Sequence, residues 1–197
     1  MDLDEYRTLF TLANLALILM AAMPALSMVV NFSKGVEPFS ELWLLGPTHN
    51  IDYPSRLKVD EQLHLSVGIG NHLGYSAYYV IYMKFQNQTQ PLPDAFNSKP
   101  SPSLPLYEFH VFLMNEKTWE APLTFAILGA SRSSNSSVVS RISINNMVFL
   151  VNRSSKWDSK SKGFYYQLVL ELWLYNPTLD DLQYHNRFVN IWLNLDL

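Results

Sequence analysis

The sequence predicts a mainly β protein, with one N-terminal transmembrane helix followed by an immunoglobulin-like β-sandwich. Three observations predict it. A charge-free apolar run fills residues 9–30, later segments alternate apolar and polar residues with period two, and clusters of proline, serine and asparagine separate those segments.

Residues 1–8 form an acidic tail carrying Asp2, Asp4, Glu5 and a single cation, Arg7. The apolar run that follows, residues 9–30, is long enough as a helix to cross a bilayer core at about 1.5 Å per residue. A cleaved signal peptide is the rival reading, because Ala25-Leu26-Ser27 has the small-x-small form of a cleavage site. The acidic tail and the length of the run favour the anchor. Within it, Asn14 offers a hydrogen bond, and Ala21 and Ala25 form a small-xxx-small face for a neighbouring helix. The bland alternative has Asn14 reaching toward the interface and the alanines as filler. Pro24 is a kink site.

Orientation has little to count, since Arg7 and Lys34 flank the run on opposite sides. Four Asn-x-Ser/Thr sequons, at Asn31, Asn87, Asn135 and Asn152, favour an exported domain. Asn31 lies too near the membrane for modification, leaving Asn87, Asn135 and Asn152 as glycosylation candidates. The expected location is the cell membrane, single-pass, with the C-terminal domain outside the cytoplasm.

Residues 36–197 are expected to form that domain. Leu63, Leu65, Val67 and Ile69 alternate with polar or small residues. So do Phe164, Tyr166, Leu168, Leu170, Leu172 and Leu174, and later Val189, Ile191, Leu193 and Leu195. Runs at 77–85, 107–114 and 138–151 read as strands by their Tyr, Phe, Val and Ile content, giving seven or eight strands in all. Residues 91–105 hold five prolines and exclude regular structure, while 131–137 and 152–163 read as exposed loops. Gly46-Pro47 suits a turn after a strand, and Trp119 and Phe125 suit the core.

Some strands are apolar on both faces. Val169, Trp173 and Tyr175 oppose the Leu168 to Leu174 stripe, and Phe188 and Trp192 oppose the Val189 to Leu195 stripe. A sandwich has one core face per sheet, so this second face needs a cover, either a long loop or another subunit. Trp173, Trp192, Phe188 and Tyr175 are therefore interface candidates.

Composition narrows the chemistry. A net charge of -3 gives no basic field for a phosphate backbone, which argues against nucleic acid. Charged residues are 16% of the chain, against about 25% in typical soluble domains, so lipid, glycan or partner subunits must shield the surface. With no cysteine there is no disulfide, thiolate metal site or thiol nucleophile. The five histidines, His49, His64, His72, His110 and His185, form no His-x-His or HExxH pair. His72, beside Asn71, is the one histidine singled out for metal binding, against the plainer role of bonding to loop backbone. Asp180-Asp181 lacks the alternating oxygens of a calcium loop, and no nucleophile elbow, P-loop or dinucleotide fingerprint is present. No catalytic residue and no cofactor are expected.

An ordered string of motifs remains: Pro38-Phe-Ser-Glu-Leu-Trp-Leu-Leu-Gly-Pro47, Asp52-Tyr-Pro54, Val67-Gly-Ile-x-Asn-His72, Trp119-x-x-Pro122-x-x-Phe125, and Phe188-Val-Asn-Ile-Trp-Leu-Asn194. Together they resemble an archaeal membrane-protein family, domain of unknown function 1616. The resemblance implies an archaeal source, a membrane anchor and an extracytoplasmic β-sandwich, and it implies no reaction. The single anchor helix and the longer middle depart from the family pattern.

The expected role is a noncatalytic accessory subunit, its partners membrane lipid and other membrane-protein subunits. The hosts to expect in an archaeon are oxidoreductases such as an ammonia monooxygenase or a haem–copper oxidase. The alternatives are a membrane-anchored module binding glycan or an envelope protein, and a metal-dependent enzyme whose histidines the fold assembles.

Overall fold

The computed structural model describes residues 3–32, 37–54 and 56–197, with helix side chains described for residues 6–24. The chain divides into an N-terminal unit ending at Pro38 and a β unit, Phe39–Leu197.

The N-terminal unit is one helix, α1 (Leu3–Phe32), which contains Pro24. It runs several residues beyond the expected 9–30 at its start. Leu9, Phe10, Leu12, Leu15, Leu17, Ile18, Leu19, Met20 and Met23 are all exposed and point in all directions around the axis.

The β unit has ten strands among the described residues: β1 (Phe39–Leu45), β2 (Arg56–Lys58), β3 (Gln62–His72), β4 (Ala77–Asn87), β5 (Tyr107–Leu113), β6 (Lys117–Ser133), β7 (Ser136–Ile144), β8 (Met147–Asp158), β9 (Gly163–Asn176) and β10 (Asp181–Asp196). They form one curled sheet in the order β1-β3-β6-β7-β8-β9-β10-β2, with β4 on the other edge of β9 and β5 beside β4. All neighbours are antiparallel except β10 and β2. The β8–β9 pairing is confined to Trp157 with Phe164 and Asp158 with Gly163, where the sheet turns over on itself. One layer is then β1-β3-β6-β7-β8 and the other β5-β4-β9-β10-β2, an arrangement compatible with the expected immunoglobulin-like sandwich.

The alternating stripes read from the sequence face inward and are buried: Leu63 to Ile69 on β3, Phe164 to Leu172 on β9, Ile191 to Leu195 on β10. Phe85 of β4 joins the layers, stacked on Tyr166 at 5.4 Å and meeting Phe125 of β6 at 5.8 Å. On β3, Gly68 leaves room for the Trp43 indole of β1, which lies where a Cβ would be.

The strand count exceeds seven or eight for local reasons. The run at 138–151 is two strands joined at Asn145-Asn146, both at positive φ (47° and 66°), as a tight hairpin turn requires. Strand β6 is masked in the sequence by Pro122, which sits where β6 pairs with β3 alone, so its missing N–H breaks no ladder to β7. The stretches 131–137 and 152–163 are largely strand, contrary to the loops expected. Two of their serines are small buried partners there: Ser137 Oγ lies 2.8 Å from the Tyr166 hydroxyl, and Ser155 Oγ donates to the Tyr165 carbonyl at 3.0 Å.

Candidate functional site

The outer face of the β5-β4-β9-β10-β2 layer carries the side chains that the core does not use. Tyr78, Val80, Tyr82, Lys84 and Gln86 of β4 lie beside Tyr175, Trp173, Glu171, Val169 and Gln167 of β9. The proline-rich segment 91–105, irregular as expected apart from one bridge between Asp94 and Lys99, supplies cover at the centre of this face. The second apolar face is thus covered in part by a loop of the same chain.

At that centre, Lys84 Nζ donates to Glu171 Oε2 at 2.7 Å, with the two side chains only 4% and 0% exposed. The loop completes the set. Lys84 Nζ also donates to the Ser101 carbonyl at 3.0 Å, the Ser101 N–H donates to Glu171 Oε1 at 2.8 Å, and Trp173 Nε1 donates to Glu171 Oε2 at 3.2 Å. A second set binds the loop's flanks, with Ser103 Oγ donating to Gln86 Oε1 and Gln90 Nε2 donating to Ser103 Oγ, both at 3.1 Å. A buried ion pair stabilises little by itself, but losing one partner strands the other's charge. The pair therefore fixes where the loop sits. Beside it the Tyr184 hydroxyl, without a hydrogen bond among the described residues, is pushed up to about 12 by burial and the nearby Glu171 carboxylate.

A second polar centre lies between the layers near β1. The Asn71 amide nitrogen donates to the Tyr75 and Leu113 carbonyls at 2.8 and 2.9 Å, so its Oδ1 is the acceptor for Leu73 N–H and the Tyr79 hydroxyl, both at 3.1 Å. With its proton committed there, Tyr79 accepts from Ser40 Oγ at 2.7 Å, and Ser40 in turn accepts from His185 Nε2 at 3.0 Å. Hydrogen-bond directionality thus puts the His185 proton on Nε2. Burial, with Arg187 adding to it, holds the His185 pKa below its ordinary value. Ser40 is buried, so the Ser–His contact serves to hold β1 against β10.

His72 lies at the end of β3, stacked on Phe39 at 4.7 Å, with Nδ1 2.8 Å from Glu116 and Nε2 3.6 Å from Glu41. Carboxylates on both ring nitrogens favour the imidazolium, and the Glu116 hydrogen bond, the largest influence, raises its pKa. A raised folded-state value means that the stability His72 adds is full below about pH 6.5 and fades as pH rises through the folded value. His185 works oppositely, its contribution fading as pH falls below its ordinary value. In an NMR titration the His72 ring should titrate above 6.5, and Glu116→Gln should lower its midpoint; an unmoved midpoint would contradict the clamp.

The other predicted residues disperse. Trp173 is half-buried, edge-on to Tyr82 at 5.3 Å, and Phe188 is half-buried beside Glu171 in the β9–β10 ladder. Tyr175 is exposed and bonds Asp180, while Trp192 is exposed beside Tyr165. His49 and His110 pair with Glu120 and Glu108, His64 is exposed on β3, and among the described residues no three His, Asp or Glu side chains, His72 with Glu41 and Glu116 included, are arranged to hold a metal ion. Asn135 is exposed at the β6–β7 turn and Asn152 is exposed on β8, whereas Asn87 is tied down, its amide donating to the Ser154 carbonyl at 2.8 Å. The Asn14 amide donates to the Phe10 carbonyl of its own helix at 3.0 Å; Ala21 is exposed, and the Ala25 and Asn31 side chains lie outside the described residues.

Sequence reasoning missed Lys84, Glu171, Ser40 and the Asn71 relay. A signal existed for the first two: each is a lone charge, of opposite sign, inside an otherwise apolar strand.

The family model described as "Domain of unknown function (DUF1616)" matches residues 33–136. No curated protein matches the sequence. A β-glucosidase from Listeria innocua is similar in structure at a TM-score of 0.43 and 11% identity, covering 80% of this chain, which spans 16% of that one. The CARDB domain of a Pyrococcus furiosus protein in complex with di-metal ions gives 0.39 and 7%, covering 81% of this chain and 90% of that chain. A chain of the complex between zinc 2-glycoprotein and prolactin inducible protein from human seminal plasma gives 0.39 and 9%, covering 82% and 98%. Likenesses this distant carry over neither ligand nor activity.

Proposed function

The chain belongs to the family described as Domain of unknown function (DUF1616), and from that premise we propose that it is a noncatalytic accessory subunit of a membrane complex, anchored by α1 with its β unit outside the cytoplasm. The observation that carries this reading is α1 itself, whose large apolar side chains are exposed on every side from Leu9 to Met23. Each would be worth about 1.5–3 kcal/mol if removed from water, so the helix belongs in lipid or against other helices. The β unit supports the noncatalytic part. Its buried ionisable pair and its Ser–His contact are both engaged in hydrogen bonds that hold a loop and an edge strand in place. The exposed aromatics Tyr78, Phe112 and Tyr175 supply surface for partner subunits.

Native mass spectrometry of the full chain, extracted from its own membrane in mild detergent, tests the reading. Stoichiometric partner subunits are expected. A homogeneous single chain under conditions that keep other membrane complexes intact would contradict it.

A further inference from the structure

Where the sheet turns over between β8 and β9, a cleft of about 450 Å³ is lined by Gln88, Asp158, Ser161, Tyr165 and Trp192. Its volume falls within the range of small-molecule sites, roughly 300–1,000 Å³. Trp192 is 47% exposed, and Tyr165 stands against it, ring centroids 6.4 Å apart and planes at 75°. The two rings make a rigid two-sided apolar platform at low entropic cost. Tyr165 is fixed by its hydroxyl donating to the Ser161 carbonyl at 2.8 Å.

The remaining walls are polar. Gln88 donates one amide N–H to the Lys156 carbonyl at 3.1 Å, and its Oε1 and second N–H remain to offer. Asp158 takes the Lys160 N–H at 2.9 Å and also hydrogen bonds from the Ser161 backbone and side chain, and its two carboxylate oxygens keep a remaining lone pair to give. No cation is among the lining residues, and although Lys160 stands near Asp158 at the rim, an anionic ligand inside the cleft would face the Asp158 carboxylate first. A fully apolar ligand would strand the carboxylate against hydrocarbon.

We propose that this cleft binds a neutral hexopyranose unit of a glycan, its C–H face on the Trp192 indole and its hydroxyls donating to Asp158 and Gln88. A pyranose combines the two surfaces the cleft offers: a flat apolar face and a rim of hydroxyl donors. The site stands on its own walls and is independent of the accessory role, so either can fail alone.

The test uses the full chain in a zwitterionic, sugar-free detergent, titrated with maltotetraose, cellotetraose and mannotetraose and followed by tryptophan fluorescence and calorimetry. Saturable binding of at least one is expected, weakened at least about tenfold by Trp192→Ala and severalfold by Asp158→Asn, with Trp192→Tyr retaining part of it. Unfolding curves matching the parent's show that the variants remain folded. No saturable signal from any of the three up to about 10 mM, or binding that Trp192→Ala leaves intact, overturns the proposal.

Discussion

Replacing Lys84 by methionine is expected to cost the β unit about 3–5 kcal/mol at neutral pH, because Glu171, fully buried, keeps its charge and loses its counter-ion. Adding Glu171→Leu removes the stranded charge and should recover most of the stability, since apolar replacements of a buried pair are often neutral. The Ser101 N–H then lacks its acceptor, so the double variant should be cut faster by protease within residues 91–105 while unfolding near the parent's midpoint. Urea unfolding and limited proteolysis read the two effects separately. A single variant as stable as the parent would show that the pair does not carry the loop.

Asn71→Ala should be comparably damaging. One fully buried amide serves two carbonyls, one N–H and one hydroxyl, and alanine leaves all four without it. At about 1–3 kcal/mol for each buried group left unpaired, with partial relaxation, a loss of about 3–5 kcal/mol is expected. Asn71→Asp separates the hydrogen bonds from the packing. It keeps the acceptor for Tyr79 and Leu73 but turns a carboxyl oxygen toward two carbonyls, so its folded-state pKa is raised and its deficit should grow with pH. Equal losses for the two substitutions at every pH would contradict the directional relay.

The inward stripes were legible because a period of two over four or more residues has one interpretation in a half-buried strand, and Leu168 to Leu172 behaves as expected. The buried serines were not. Ser137 and Ser155 carry the composition of a loop, and only the approach of β9 gives them a partner in Tyr166 and the Tyr165 carbonyl. The relay from Asn71 to His185 was illegible for a related reason. Its members lie on β3, β4, β1 and β10, and Ser40 and His185 are 145 positions apart in sequence. The apolar second face was visible as a pattern, but its cover was not, since nothing in five prolines says that Ser101 will reach across to Glu171.

In the proposed role, α1 holds the β unit at the outer surface of a membrane. The most direct measurement treats intact cells producing the full chain with a membrane-impermeant amine reagent, then washes their membranes at alkaline pH and maps the label by mass spectrometry. Lys156, Lys160 and Lys162, exposed around the β8–β9 hairpin, should be labelled on chain that stays in the washed pellet. Chain released by the wash, or those lysines labelled only after lysis, would contradict it.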